Sequence, residues 1–289
     1  MSDKEIDHVT GVETTGHVWD GDLKELNKPL PKWWLYVLYA TIIWSIGYWI
    51  LYPAWPTLHG YTKGILDYSP RAEVAEELAA AKAKQAKYLD EIAAKSLDEI
   101  ATDQELLPFV MAGGAAVFGD NCGPCHGKGG GGAAGYPNLN DDDWLWGGKL
   151  EDVEQTILYG IRSGHPETRD MAMPRFGIDE MLKPAEIADT TQYILSFSDN
   201  ATDAVAAEKG KSLYADNCAA CHGEDGKGNI ELGAPNLTDN IWLFGSTPAE
   251  IAETIRTGRG GVMPHWTGRL DPATIKMLTV YVHSLGGGK

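Results

Sequence analysis

Cysteine is scarce in this 289-residue chain: there are four, Cys122, Cys125, Cys218 and Cys221, and together they make two C-x-x-C pairs with none left over. Positive charge is also short, with 24 Lys and Arg against 41 Asp and Glu, a formal net charge of -17. That balance argues against nucleic acid as a partner and against adsorption to anionic lipid. No Gly-Lys-Ser/Thr follows the run Lys128-Gly129-Gly130-Gly131-Gly132, so it is not a phosphate loop and reads as a flexible loop. A βαβ context for a thioredoxin-like use of C-x-x-C is missing. The two cysteine pairs also lie 96 residues apart, far from the 15–20 residue separation of a zinc site.

Long charge-free runs are equally rare. From Trp33 to Tyr52, twenty residues pass without a charge, the length of a helix that crosses about 30 Å of hydrocarbon. Trp33, Trp34 and Tyr36 lie at one end and Tyr48, Trp49, Tyr52 and Trp55 at the other, as interfacial aromatic rings do. Prolines bracket the run at 29, 31, 53 and 56. It starts too deep and runs too long for a cleavable signal, so it is expected to stay as an anchor over 33–55. Lys24, Lys28 and Lys32 before it, against Lys63 and Arg71 after it, lean towards residues 1–32 inside. Residues 71–101 are rich in Ala, Glu and Lys with a thin apolar stripe, and predict one charged spacer helix within a 56–107 linker.

What the chain does have is a repeat. Asp-Asn-Cys-Gly-Pro-Cys-His-Gly at 120–127 returns as Asp-Asn-Cys-Ala-Ala-Cys-His-Gly at 216–223. Pro137-Asn138-Leu139 returns at 235–237, Trp144 as Trp242, Thr156-Ile157 as Thr254-Ile255, Met173-Pro174 as Met263-Pro264, and Tyr193 as Tyr281. Two modules follow, 108–200 and 201–289. The first copy carries an insertion near 163–170 and most of the acidic excess, 16 acids to 6 bases over 102–200 against 10 to 8 over 201–289. Each copy predicts three helices: 108–121, 150–161 and 184–197, then 204–217, 248–257 and 272–285. Thr247, Pro248 and Glu250 form a capping box, and Asp271-Pro272 is a start signal.

Cys-x-x-Cys-His is the attachment signature of c-type haem: two thiols form thioethers to the macrocycle and the next histidine reaches the iron. Cys122, Cys125, Cys218 and Cys221 are thus the attachment sites of two covalent haems, with His126 and His222 as proximal ligands. Met173 and Met263 are the candidates for the opposite face, since a thioether ligand suits an electron carrier. Their rivals are Met171 and, inside a helix, Met277; His165 and His265 read as surface or propionate-contacting. Each methionine is expected to serve the module of its own histidine. In c-type cytochromes a proline such as Pro137 or Pro235 commonly offers its carbonyl to the axial histidine. Trp144 and Trp242 read as haem-packing. With both axial positions filled, neither iron is open to O₂ or peroxide, so the modules read as relays with no catalytic residue of their own. Haem is attached covalently outside the bacterial inner membrane, which puts the modules in the periplasm and residues 1–32 in the cytoplasm.

The chain resembles the dihaem subunit III (CcoP) family of proteobacterial cbb3-type cytochrome c oxidases. The residues that carry this resemblance are Thr14-Thr15-Gly16-His17-Val18-Trp19-Asp20-Gly21 and Glu25-Leu26-Asn27-Lys28-Pro29-Leu30-Pro31. Tyr52-Pro53-Ala54-Trp55-Pro56 and Arg71-Ala72-Glu73-Val74 add to it. The resemblance implies a mainly α protein with one span and two tandem class I cytochrome c domains. It implies a role in aerobic respiration, with electrons entering from a cytochrome c donor. They would pass towards a monohaem subunit and a b-haem/copper catalytic subunit that reduces O₂ and pumps protons. A free-standing membrane shuttle, a cytochrome subunit of another reductase, a dihaem peroxidase and a haem sensor share some of these motifs.

Overall fold

The computed structural model describes residues 5–286, which fall into two compact units, one running through Ala83 and the other from Lys84 on. In the first unit, β1 (Thr14–Trp19) and β2 (Leu23–Leu26) form an antiparallel hairpin that sequence reasoning did not anticipate. Its turn uses Asp20 and Gly21, both at positive φ. Helix α1 (Lys32–Leu51) follows and buries no residue against protein, as expected of a helix whose apolar side chains face lipid. It stops at Leu51, short of the expected 55, because Tyr52 precedes Pro53 and is held extended. The last carbonyls of α1 are met by the chain itself: Ile65 and Leu66 amides donate to Ile50 and Leu51 oxygens at 2.9 and 3.1 Å. Gly64, at φ +75°, permits this return, since a Cβ there would lie 2.4 Å from the Leu51 oxygen. A short ribbon, β3 (Pro56–Thr57) with β4 (Gly60–Tyr61), lies within the return.

The charged spacer is two helices, not one. Helix α2 (Pro70–Ala94) ends before Ser96, which caps α3 (Leu97–Thr102) in a box with Glu99. The break lets Ile92, Leu97 and Ile100 all turn inward into one buried cluster.

The second unit holds both repeats, with α4 (Leu107–Asn121), α5 (Gly123–His126), α6 (Leu150–Tyr159) and α7 (Pro184–Ser196) from the first. The second repeat supplies α8 (Ala204–Asn217), α9 (Ala219–His222), α10 (Pro248–Thr257) and α11 (Pro272–His283). Boundaries follow local signals: α6 and α10 end at Gly160 and Gly258, both near φ +70°, where a Cβ would collide with the oxygens of Met263 and Met173 at 2.4 Å. The glycine run after His126 is pinned, with Gly130 buried and the Gly132 amide donating to the His126 oxygen at 2.7 Å.

The repeats do not pack as two sequence-contiguous modules. The last helix of each repeat packs on the first helix of the other: α11 against α4, and α7 against α8. The crossings are close. A Cβ on Gly114 would sit 2.5 Å from that of Tyr281, and one on Gly210 would sit 2.1 Å from the Asp189 oxygen. Phe118 meets Tyr281 at 5.5 Å, and Tyr214 meets Tyr193 at 5.2 Å. One module therefore runs without interruption from Met173 through α7, α8, α9 and α10. The other, α4, α5 and α6, is completed by Met263 and α11, with the first module inserted between its parts. The segments 108–200 and 201–289 are repeats of sequence; the packing units cross between them.

A candidate haem-binding pair

In each repeat the second cysteine and the histidine follow the first cysteine by three and four residues on one helical turn. The Cys125 and His126 amides donate to the Cys122 oxygen at 3.1 and 2.9 Å, and Cys221 and His222 repeat this on Cys218. That turn puts both thiols and the imidazole on one face. The His126 Nδ1 donates to the Pro137 oxygen at 3.0 Å and the His222 Nδ1 to the Pro235 oxygen at 3.0 Å. A carbonyl only accepts, so the proton is on Nδ1 and Nε2 carries the free lone pair in both rings. Burial pushes the His222 imidazole below its ordinary pKa, which keeps it neutral; the Pro235 carbonyl opposes this. Burial also pushes the thiols of Cys122 and Cys218 up to about 11.

Trp144 and Trp242 wall the two sites in the same way, each Nε1 donating to the backbone oxygen of the aspartate three residues before it at 3.0 Å. The methionines lie crosswise. Met263 packs into the cluster of Phe118, Cys122, Leu139 and Trp144, and Met173 into that of Cys218, Tyr214, Leu237 and Trp242. The expectation that each methionine sits with its own repeat's histidine is thus corrected: each lies in the core that holds the other repeat's cysteine. The cause is the helix exchange, because Met173 and Met263 travel with the segments that lead into α7 and α11. Among the rivals, Met171 is exposed and Met277 is buried in helix α11, as expected of a core residue. His165 and His265 meet as tilted rings with centroids 5.4 Å apart, and His165 stacks on Tyr159.

The donor set fits covalent haem: two thiols one turn apart, an imidazole with its outer nitrogen bonded, and a thioether in the same apolar core. A further fit is electrostatic. Arg259, whose carbonyl accepts from the Met173 amide, has among the described residues a buried Nε with no hydrogen-bond partner. A buried donor of positive charge suits a cofactor that carries carboxylates.

The comparisons agree with this geometry. Residues 11–59 match the N-terminal domain of cytochrome oxidase-cbb3, FixP; residues 111–198 match cytochrome c; residues 205–282 match cytochrome c oxidase, cbb3-type, subunit III. The cbb3-type oxidase subunit FixP of Bradyrhizobium sp. (strain ORS 278) is 57% identical over 99% of this chain and 98% of its own length. The chain belongs to the cbb3-type cytochrome c oxidase subunit FixP/CcoP family. Azospirillum brasilense CcoP is 53% identical over the whole of both chains, and Sinorhizobium medicae FixP is 52% identical over 99% of this chain. The relatedness covers the hairpin, the apolar helix, the linker and both repeats, so this family's layout is that of the whole chain.

What sequence reasoning missed is the crosswise pairing. One signal was available: only seven residues join α7 to α8, and consecutive elements usually lie side by side.

Proposed function

We propose that the chain is the membrane-anchored dihaem electron-transfer subunit of a cbb3-type cytochrome c oxidase, working in a complex with the other oxidase subunits. Cys122 and Cys125 hold one haem c and Cys218 and Cys221 the other. His126 with Met263 and His222 with Met173 would supply the two iron ligands of each haem, and Pro137 and Pro235 orient the histidines. Each haem would supply a one-electron iron couple; the chain's own residues fix the imidazole tautomer and line both sites with apolar side chains that exclude water. A thioether opposite an imidazole favours the reduced state and so suits a relay. The α1 helix anchors the protein, with residues 1–32 cytoplasmic and the haem modules periplasmic, where covalent attachment occurs. Electrons enter from a cytochrome c donor and leave towards a monohaem subunit and the b-haem/copper subunit where O₂ is reduced.

The observation that supports this reading is the repeated C-x-x-C-H turn, each copy with a methionine packed into the core of its first cysteine, on a chain that belongs to this oxidase family. Purification in mild detergent through a C-terminal tag tests it, with a reduced-minus-oxidised spectrum and O₂ uptake from a reduced cytochrome c. Co-purifying b-type haem and cyanide-sensitive O₂ uptake are expected. A spectrum of c-type haem alone, without O₂ uptake from intact complexes, would overturn it in favour of a free-standing shuttle.

A further inference from the structure

The two methionine segments cross each other, and one side chain binds both. Ile161 and Met263 exchange two main-chain hydrogen bonds at 3.0 Å each, and the Met173 amide donates to the Arg259 oxygen at 2.9 Å. Between these pairings lies Arg162. Its backbone amide donates to the Arg169 oxygen at 2.8 Å. Its Nε donates to the Gly261 oxygen at 2.6 Å, and a terminal nitrogen donates to the Met171 oxygen. Those two carbonyls stand at the same place in the two segments, two residues before Met263 and two before Met173.

We propose that Arg162 is a positioning residue that clamps both methionine strands at once, so that the methionine ligation of the two haems is set jointly. This rests on the reading of Met173 and Met263 as axial ligands. Three features support it. The guanidinium is a rigid fork whose N–H groups diverge, so one side chain can reach two carbonyls on different strands; an ammonium on a flexible stem holds no such geometry. Arg162 sits at φ +50°, a left-handed conformation unusual for a residue with a side chain, and the surrounding bonds hold it there. The equivalent position in the second repeat is Gly260. A Cβ there would lie 3.3 Å from that of Ala172 and 3.8 Å from the Cδ of Arg162, so the crossing has room for one such arm. The near-twofold relation of the repeats is broken at this point, and a single residue serves both sides.

The test uses the full chain with both haems attached, comparing Arg162→Gln and Arg162→Lys with the unaltered protein. Three properties are read: the two midpoint potentials, the red absorption of methionine-ligated ferric haem, and CO bound per reduced chain. In both variants both midpoints should fall together, the red absorption should weaken for both haems, and CO binding should rise. Movement of one haem only, or of neither, overturns the proposal. So does an Arg162→Lys protein that matches the unaltered one while Arg162→Gln does not, since charge alone would then suffice. Should Arg162→Gln fail to hold two haems, Arg162→Lys carries the same test. Met173→Leu and Met263→Leu separate the two readings. If each moves one midpoint, the ligand assignment stands and a negative result falls on Arg162 alone; if neither does, both readings fall.

Discussion

The module around His222 and the module around His126 are made from the same repeated parts, yet one is drawn from a single stretch of chain and the other is closed across it. They also differ in what leans on them. The His126 module carries the linker: Ile92, Leu97, Ile100 and Leu106 pack with Val110, Leu150, Ala273, Met277 and Val280 in one cluster, and Tyr88 stacks on Phe109 at 4.7 Å. Lys276 of α11 reaches the backbone oxygens of Ile92, Ala93 and Lys95 at 3.3, 3.1 and 2.6 Å, capping the end of α2. Among the described residues, none from the linker helices joins the core of the His222 module. The arginines differ as well. Arg169 lies 3.5 Å from the Asp152 carboxylate and over Trp146, while Arg259 lies over Phe244, bonds Thr254 and Thr257, and leaves Nε unpaired. A duplication thus fixes the local chemistry of two sites but not their surroundings, and the surroundings set how each site behaves.

The comparison breaks most sharply if the crosswise pairing is wrong. In a Cys218→Ser/Cys221→Ser protein that keeps only the haem on Cys122 and Cys125, adding Met263→Leu should lower the midpoint by on the order of 0.1 V, a modest part of the roughly 0.8 V that axial ligation spans. Adding Met173→Leu instead should leave it in place. A redox titration that gives the reverse pattern would restore the sequence-contiguous pairing.

A smaller effect sharpens the difference in bracing. Lys276→Met removes a charged donor from three carbonyls and should cost about 1–3 kcal/mol in the module that carries the linker. Amide exchange should quicken over 90–106 and stay slow in α7 and α8; equal quickening in both modules would show that the linker braces the pair as a whole.

The smallest effect concerns Asp143, where the second repeat has Ile241. Burial, with Asp239 and Asp141 as further causes, raises its carboxyl to about 6. Because the folded state holds this proton more tightly than an ordinary carboxyl, stability falls as pH rises from about 4 to about 6 and stays lower above that. Asp143→Asn should therefore stabilise the protein above pH 6 and have little effect below pH 4. Thermal melts across that range check it, and a gain that grows on acidification would refute the sign.

Much of this was legible in the chain itself. The C-x-x-C-H runs named the cofactor because two attachment thiols and an iron-binding imidazole must share one helical turn, and the capping residues at Thr247 and Asp271 marked helix starts correctly. The recurrence of the methionine-proline pairs was legible too. Their partners were not, for a physical reason. Ile187, Thr191 and Ile194 on α7 present the same buried pattern as Ile275, Thr279 and Val282 on α11, and Gly114 and Gly210 offer equivalent gaps. Either last helix suits either first helix, so side-chain pattern cannot decide between them and chain connection does. The break at Ser96 was hidden because Ala, Glu and Lys favour helix throughout 71–101, and only the capping box with Glu99 betrays the turn. The hairpin at 14–26 lacks the strict alternation of a half-buried strand, being exposed on both faces over most of its length.

The interleaving also has a meaning in time. A chain made from its N-terminus has α7 and α8 within a few residues of each other, so the His222 module can close as soon as α10 is available. Helix α4 must wait for α11, more than 150 residues later, and the longer loop makes that contact the slower one to form. The first repeat to emerge is the last to be finished. Until residue 283 arrives, its haem site lacks a wall, which leaves the Cys122–His126 face open longest to whatever machinery attaches the cofactor.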